Sequence, residues 1–447
     1  MENENIKNAS RSSYLGLGFM FAFFIAWAFG IDNPNFIGFL ALMIAVLFMN
    51  GLAQIDMLID EESPNWWKNN KLLSLLHHIH AEGELAGILV GVVLFVYIVA
   101  HGHIADIHLP IYAALALSGI MAAANIATHK IIPLMNKLER VVGVWGAVWI
   151  GSMLSTLTGA ASSVFVSQYL LPRVEVKNRD EVALRLSAGI GLGNGILPFV
   201  APPVLIVWAL LQEKLGWSLA DLFMMVGIIG VIYSGFITHN IKNLVTPLNN
   251  ANGAITSIFS YELLLLLLVV VGNILAYTTV YMLIFNIIVS IIGIFLGKDF
   301  NEKWQPIILG TLLIALEVIG HMAEPFVHHA IMTIVPSGTP ILILGIILFF
   351  MSAWTSHVAD NALASRILVG TLFGMGYIGA EMDFLVSSVL IGALFGGFLL
   401  IPANIPNFPI ARIFSINSGA WFKAGLKIYW TTVIPLAWII GLYFTII

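Results

Sequence analysis

Apolar runs of about 20 residues, the length that crosses a bilayer as a helix, recur along nearly the whole chain. They predict helical spans at 14–30, 36–55, 82–101, 109–131, 183–211, 220–240, 305–335, 384–412 and 428–446, with two tightly joined spans inside 261–297. Two other apolar stretches, 141–171 and 339–375, are interrupted by small and polar residues. Segments 59–71 (with Trp66, Trp67, Lys68 and Lys71) and 413–427 have the mixed pattern of amphipathic pieces at a membrane interface. The first run follows a polar leader with Lys7 and Arg11 and lacks a small-residue cleavage site, so it reads as a span and not as a signal peptide.

Composition agrees with this pattern. Hydrophobic residues make up 59% of the 447 and charged residues only 10%, against roughly 25% charged in a soluble domain. The expected fold is an all-α polytopic membrane protein. The net charge of −5 says little when so few charges exist, and the absence of cysteine excludes disulfides and thiolate metal sites.

Positive residues favour the cytoplasmic side of a bilayer. Lys130, Lys137 and Arg140 lie before 141–171, and Arg173, Lys177, Arg179 and Arg185 lie after it. Both flanks therefore read as cytoplasmic, and 141–171 reads as a re-entrant hairpin. Segments 102–108, 336–339 and 376–383 carry no Lys or Arg, so 339–375 reads as a second hairpin entering from outside. Arg412, Lys423 and Lys427 return to the inside. The count is about eleven spans plus two hairpins, with the N-terminus cytoplasmic.

Two stretches recur in order. "GSMLSTLTGAAS" (151–162) aligns with "MSAWTSHVADNA" (351–362), so that Ser152, Ser155 and Thr156 meet Ser352, Thr355 and Ser356. "ILPFVAPPV" (196–204) aligns with "LIPANIPNF" (400–408), so that Pro198, Pro202 and Pro203 meet Pro402, Pro406 and Asn407. Proline lacks an N–H and clashes with the preceding turn. Such segments predict broken helices, which membranes tolerate only inside protein or beside a watery cavity. The expected organisation is an N-terminal scaffold (1–108), a first inverted repeat (109–240; hairpin 141–171, broken helix 183–211), connecting helices (241–304) and a second repeat (305–447; hairpin 339–375, broken helix 384–412). Matching broken helices point to a transporter's midplane site.

At these residues the chain resembles the ion-transporter superfamily, which includes D-type sodium/proton antiporters, arsenite pumps and sodium-coupled dicarboxylate and citrate carriers. "SHVADNALA" looks like the Asp-Asn hairpin tip of the antiporter branch, with "STLTGAASS" at the other tip and "GILPFVAPPV" and "IPANIPN" at the two breaks. The resemblance covers most of the chain beyond residue 110 and implies a sodium/proton antiporter and, commonly, a homodimer. One departure is the absence of an acid at the first tip, which carries Ser155, Thr156, Thr158, Ser162 and Ser163.

Asp360 is the principal candidate. A carboxylate inside a membrane segment costs about 3 kcal/mol or more and marks an ion or proton path by default. One group that binds either H⁺ or Na⁺ supports exchange by itself. The bland alternatives are pairing with Arg366, capping a helix, or lying in a wet loop. Asn361 and Ser356 offer oxygens suited to a hard cation, and His357 is either a proton partner or a structural histidine. Asn404 and Asn407 either coordinate an ion or satisfy unwound backbone. Ser155, Thr156 and Thr158 are ion ligands or back-bond to helical carbonyls.

Two further polar clusters are candidate proton paths. In "HHIHAEGE" (77–84), His80 and Glu82 either gather protons at the cytoplasmic mouth or are merely solvated. In "EVIGHMAEPFVHH" (317–329), Glu317, His321, Glu324 and His328 fall three or four residues apart on one helix face and either take part in proton or ion movement or form a structural hydrogen-bonded stripe.

The expected function is a secondary active transporter of the bacterial inner membrane, exchanging Na⁺ (or Li⁺) for H⁺ by alternating access. Its partners are those ions and the lipid bilayer, with no nucleic acid, cofactor or resident metal. The runner-up is a sodium-coupled carrier of an organic anion such as citrate or a dicarboxylate. An intramembrane His/Glu metalloenzyme is a reading from another class, and a channel fits paired interrupted hairpins less well.

Overall fold

The computed structural model describes residues 15–49 except 17, and residues 108–446 except 159–160, 199–200, 249–259, 277–278, 298–299, 337, 360 and 405; between 50 and 107 it describes only 92, 96, 99 and 100. The interface segment 59–71, most of the span expected at 82–101, His80, Glu82 and Asp360 thus lie outside the described residues.

Sixteen α-helices form the described fold, and the only β-type pairing among the described residues is the bridge between Val174 and Val245. Four helical stretches are long and apolar enough to cross a membrane by length and composition: Lys130–Thr158, Leu219–Asn243, Gly379–Gly396 and Gly419–Thr445. Shorter apolar helices include Gly18–Ala28, Tyr261–Ala276 and Val280–Leu296. The last two expose apolar side chains such as Leu267, Leu275, Ile284 and Phe295. Their buried faces meet through paired amides: Asn273 Nδ2 donates to Asn286 Oδ1 at 3.1 Å, and Asn286 Nδ2 donates back at 3.0 Å. Polar groups buried between apolar helices that face outward with Leu and Ile are the pattern of a lipid-solvated bundle. Together these helices suggest an integral multi-pass membrane protein.

Segment 130–140, expected as a loop, is helical. Helix His108–Met153 runs through it and turns only at Gly143, where φ is 74° and ψ 174°, a backbone open to glycine and strained for other residues. The reason is amphipathicity. Ile131, Met135 and Glu139, four residues apart, are buried on one face, while Lys137 and Arg140 are exposed.

Segment 413–427 also departs from expectation. Its second half opens the last helix, Ser418–Ile446, instead of lying apart at an interface. Asn417 Oδ1 accepts from Ala420 N at 2.9 Å at this start, as an N-cap does. Buried Trp421 then donates Nε1 to Phe398 O at 2.9 Å. The expected span thereby gains more than two turns at its N-terminal end.

The region 141–171 holds the end of His108–Met153, the short helix Ser155–Thr158 and the helix Ala161–Leu170, which folds back on the first. The region 339–375 holds Ile341–Ala359 and Asn361–Phe373, also side by side. Each of these helical pairs precedes a broken segment. The first is Arg179–Gly193 followed by Pro202–Leu210, and the second is Gly379–Gly396 followed by Asn407–Phe414. Their packing is reciprocal. Pro202–Leu210 lies on Asn361–Phe373 of the second pair, and Asn407–Phe414 lies on Ala161–Leu170 of the first.

Candidate functional site

The two broken segments approach each other just before their breaks. A Cβ on Gly191 would stand 2.6 Å from the backbone oxygen of Leu394, so only glycine allows this distance. Ser187, on Arg179–Gly193, donates its hydroxyl to Asn407 Oδ1. That link joins residues 220 apart in sequence.

Broken helices leave carbonyls and N–H groups unpaired, and burial makes each costly unless a side chain satisfies it. Asn407 serves the second break, donating Nδ2 to Gly397 O at 2.7 Å and to Leu400 O at 2.8 Å. Thr156 serves the first, accepting from Leu197 N at 2.7 Å and donating to Leu197 O at 3.3 Å. Ser155 donates to Ile190 O at 3.1 Å. Asn361 Nδ2 donates to Asn404 Oδ1 at 3.1 Å, tying the start of Asn361–Phe373 to the second break. Asn404 Nδ2 is buried without a partner. Each helical pair is thus stitched to its own broken segment, and Ser187–Asn407 connects the two halves.

Asn407→Ala tests the structural share of this work. One buried and one part-buried carbonyl lose their donor, at about 1–3 kcal/mol for the buried one, so the detergent-solubilised variant should melt below wild type. An unchanged melting temperature would show that other donors satisfy the break.

The remaining candidates divide. Thr158 back-bonds to Leu154 O at 3.0 Å and Ser356 to Ala353 O at 2.9 Å, the bland behaviour of hydroxyls in helices. His357 is buried between the rings of Trp354 and Tyr429, each 5.5 Å away centroid to centroid. Neither of its ring nitrogens makes a hydrogen bond of good geometry, although the Gly396 backbone lies near the ring.

The 317–329 face does not act as one stripe. Glu317 Oε1 accepts from Arg366 Nε at 2.7 Å, and Glu324 Oε2 accepts from Arg366 Nη1 at 3.0 Å. His321 is exposed and stands outside this network. A cavity of about 560 Å³ opens beside Glu324, lined also by Asn33, Asn35, His328, His329 and Gly374. Among the described residues no group of three or more His, Asp or Glu side chains is disposed to hold a metal ion.

Sequence reasoning noticed Arg366 only as a rival partner for Asp360, and missed its two glutamates. It also passed over Ser187 and Asn194, whose buried Oδ1 has no hydrogen-bond donor. A signal existed for all three, since each is a polar residue inside an apolar helix or beside the first break.

No protein-family model matches the chain, and no curated protein matches it.

Proposed function

We propose that the protein is a secondary active transporter of the bacterial inner membrane, with its N-terminus inside, that exchanges Na⁺ for H⁺ by alternating access. The reading rests chiefly on one observation. Two broken helices meet just before their breaks, and uncharged oxygen and amide groups are buried at these breaks: Ser155, Thr156 and Asn361 from the helical pairs, and Asn194, Asn404 and Asn407 from the broken segments. Hard cations favour oxygen ligands of this kind, and unwound backbone at membrane depth belongs beside an ion path. Asp360 follows Ala359, where one helix ends, and precedes Asn361, where the next begins. It supplies the exchangeable charge in this scheme. Reciprocal packing of the two halves supports the inverted repeat that alternating access uses.

A second reading has one observation in its favour. Helices Ala161–Leu170, Asn361–Phe373 and Pro202–Leu210 all begin beside the breaks or the tips, and helix N-termini attract anions. Against an organic anion, the buried Arg366 is already engaged by two carboxylates.

Everted vesicles with an imposed pH gradient separate the two. Added Na⁺ or Li⁺ should dissipate the gradient in vesicles carrying the protein and not in empty ones. Sodium-dependent uptake of a labelled dicarboxylate or citrate without proton flux would replace the antiporter by the anion carrier.

A further inference from the structure

Each helical pair is tied by buried Arg–Glu contacts to the chain that leads into it: the part of His108–Met153 before its turn at Gly143, and the helix Phe300–Ile334. In the first half, Glu139 on His108–Met153 accepts from Arg173 Nη1 at 2.6 Å, from the Tyr169 hydroxyl and from Leu248 N at 2.9 Å. Arg173 also lies over the Tyr169 ring, 4.2 Å from its centroid. Tyr169 lies in the last turn of the returning helix Ala161–Leu170, and Arg173 ends the short turn Leu171–Arg173 that follows it. Glu139 thus clasps the base of the first pair and the 246–248 connection to the preceding helix. In the second half, Arg366 on the returning helix Asn361–Phe373 reaches Glu317 and Glu324 on the preceding helix, Phe300–Ile334. A similar device therefore occurs twice, with the arginine on or just past the returning arm and the glutamate on the segment leading into the pair, within the first arm's own helix in one half and on a separate helix in the other. The sequence repeat does not account for this, since residue 339, the position 200 after Glu139, is a threonine.

We propose that these two clusters are positioning latches, one for each face of the membrane, and that releasing either one opens the crossing of the broken helices to its own side. This inference rests on the transport reading above, which enters the two helical pairs from opposite faces. On that reading the Glu139–Arg173 latch lies at the cytoplasmic base and the Arg366 latch on the outer side, beside the cavity at Glu324 and His328. The chemistry suits the task. A bidentate or multiply bonded guanidinium holds a carboxylate in one geometry. A buried pair, whose attraction roughly offsets its desolvation, can separate without a large net cost when water enters. A rigid apolar contact offers no such reversible register.

The chain has no cysteine, so single reporters can be placed directly in the natural sequence. Leu197→Cys and Leu400→Cys put a thiol at each break. Labelling by a membrane-impermeant maleimide is then followed in right-side-out and inside-out vesicles. The first latch is neutralised by Glu139→Gln with Arg173→Gln. The second is neutralised by Arg366→Gln, Glu317→Gln and Glu324→Gln together. Neither set leaves an unpaired buried charge, so both should fold, and size-exclusion profiles verify this.

Neutralising the first latch should raise cytoplasmic labelling at least about fivefold and leave outer labelling unchanged; neutralising the second should do the reverse. Arg173→Lys, which keeps the charge but loses the planar fork and its stacking on Tyr169, should raise cytoplasmic labelling by less than the double variant does. Equal changes on both faces, or none, in well-folded variants would overturn the latches. Opposite-sided shifts in a protein that fails to exchange Na⁺ for H⁺ would keep the latches and remove the antiporter reading.

Discussion

Asp360→Asn is expected to abolish the proposed Na⁺-driven dissipation of an imposed pH gradient while the protein still reaches the membrane at wild-type levels. The asparagine has the size of the aspartate and keeps one oxygen, so insertion and packing should survive. It has no charge to balance a cation and no proton to give up, so exchange should not. The expected loss is about a hundredfold or more in initial rate, equivalent to ~3 kcal/mol of lost cation interaction. Asp360→Glu, which keeps the charge on a longer arm, should retain exchange with a changed apparent affinity for Na⁺. Neighbouring residues sharpen the test. Asn361 is held by Asn404, and Asn407 is engaged by two carbonyls and Ser187. These amides have limited freedom to replace a missing carboxylate. Wild-type exchange in Asp360→Asn would move the proton to another group.

The helical character of the chain and its interruptions were legible for a physical reason. Burial in lipid or protein makes helices apolar throughout, so a Gly-, Pro- or Asn-rich lapse stands out. The lapses at 194–201 and 397–406 are where Arg179–Gly193 and Gly379–Gly396 end. Segment 130–140 reads as a connection because hydropathy averages over a helix whose buried face there is only Ile131, Met135 and Glu139. Charges that argued for a connection sit on the other face of the same helix.

The site was legible as residue types and not as partners. Asn404 and Asn407 stood out as amides in an apolar break. Nothing local says that Asn407 meets Ser187 220 residues away, or that Arg366 meets Glu317 and Glu324 at separations of 49 and 42. Periodicity placed the two glutamates correctly on one face of a helix. It had no means of placing a cation opposite that face. Arg366 ties those two glutamates into an ion-paired cluster and leaves His321 apart.

Arg366→Met should therefore be the most destabilising single change in this region, by about 3–5 kcal/mol, because it strips the partner from two carboxylates at once. The Arg366 side chain is only 6% exposed, and Glu317 and Glu324 are 14% and 31% exposed. Methionine fills the volume of the arginine stem, so the loss is electrostatic more than a matter of packing. Glu317→Gln is expected to be mild, within about 1 kcal/mol. The amide oxygen still accepts from Arg366 Nε, and Arg366 with Glu324 then forms a one-to-one pair. Glu324→Gln should be similarly mild, since Glu324 borders the cavity and is partly solvated. Thermal unfolding in detergent should rank wild type close to Glu317→Gln and Glu324→Gln, with Arg366→Met far below. Adding Glu317→Gln and Glu324→Gln to Arg366→Met should recover most of the loss, because no buried charge then lacks a partner. If Arg366→Met melted with the single glutamine variants, apolar packing alone would hold Asn361–Phe373 against Phe300–Ile334. The ion cluster would then be a by-product of that packing and could not latch the returning arm.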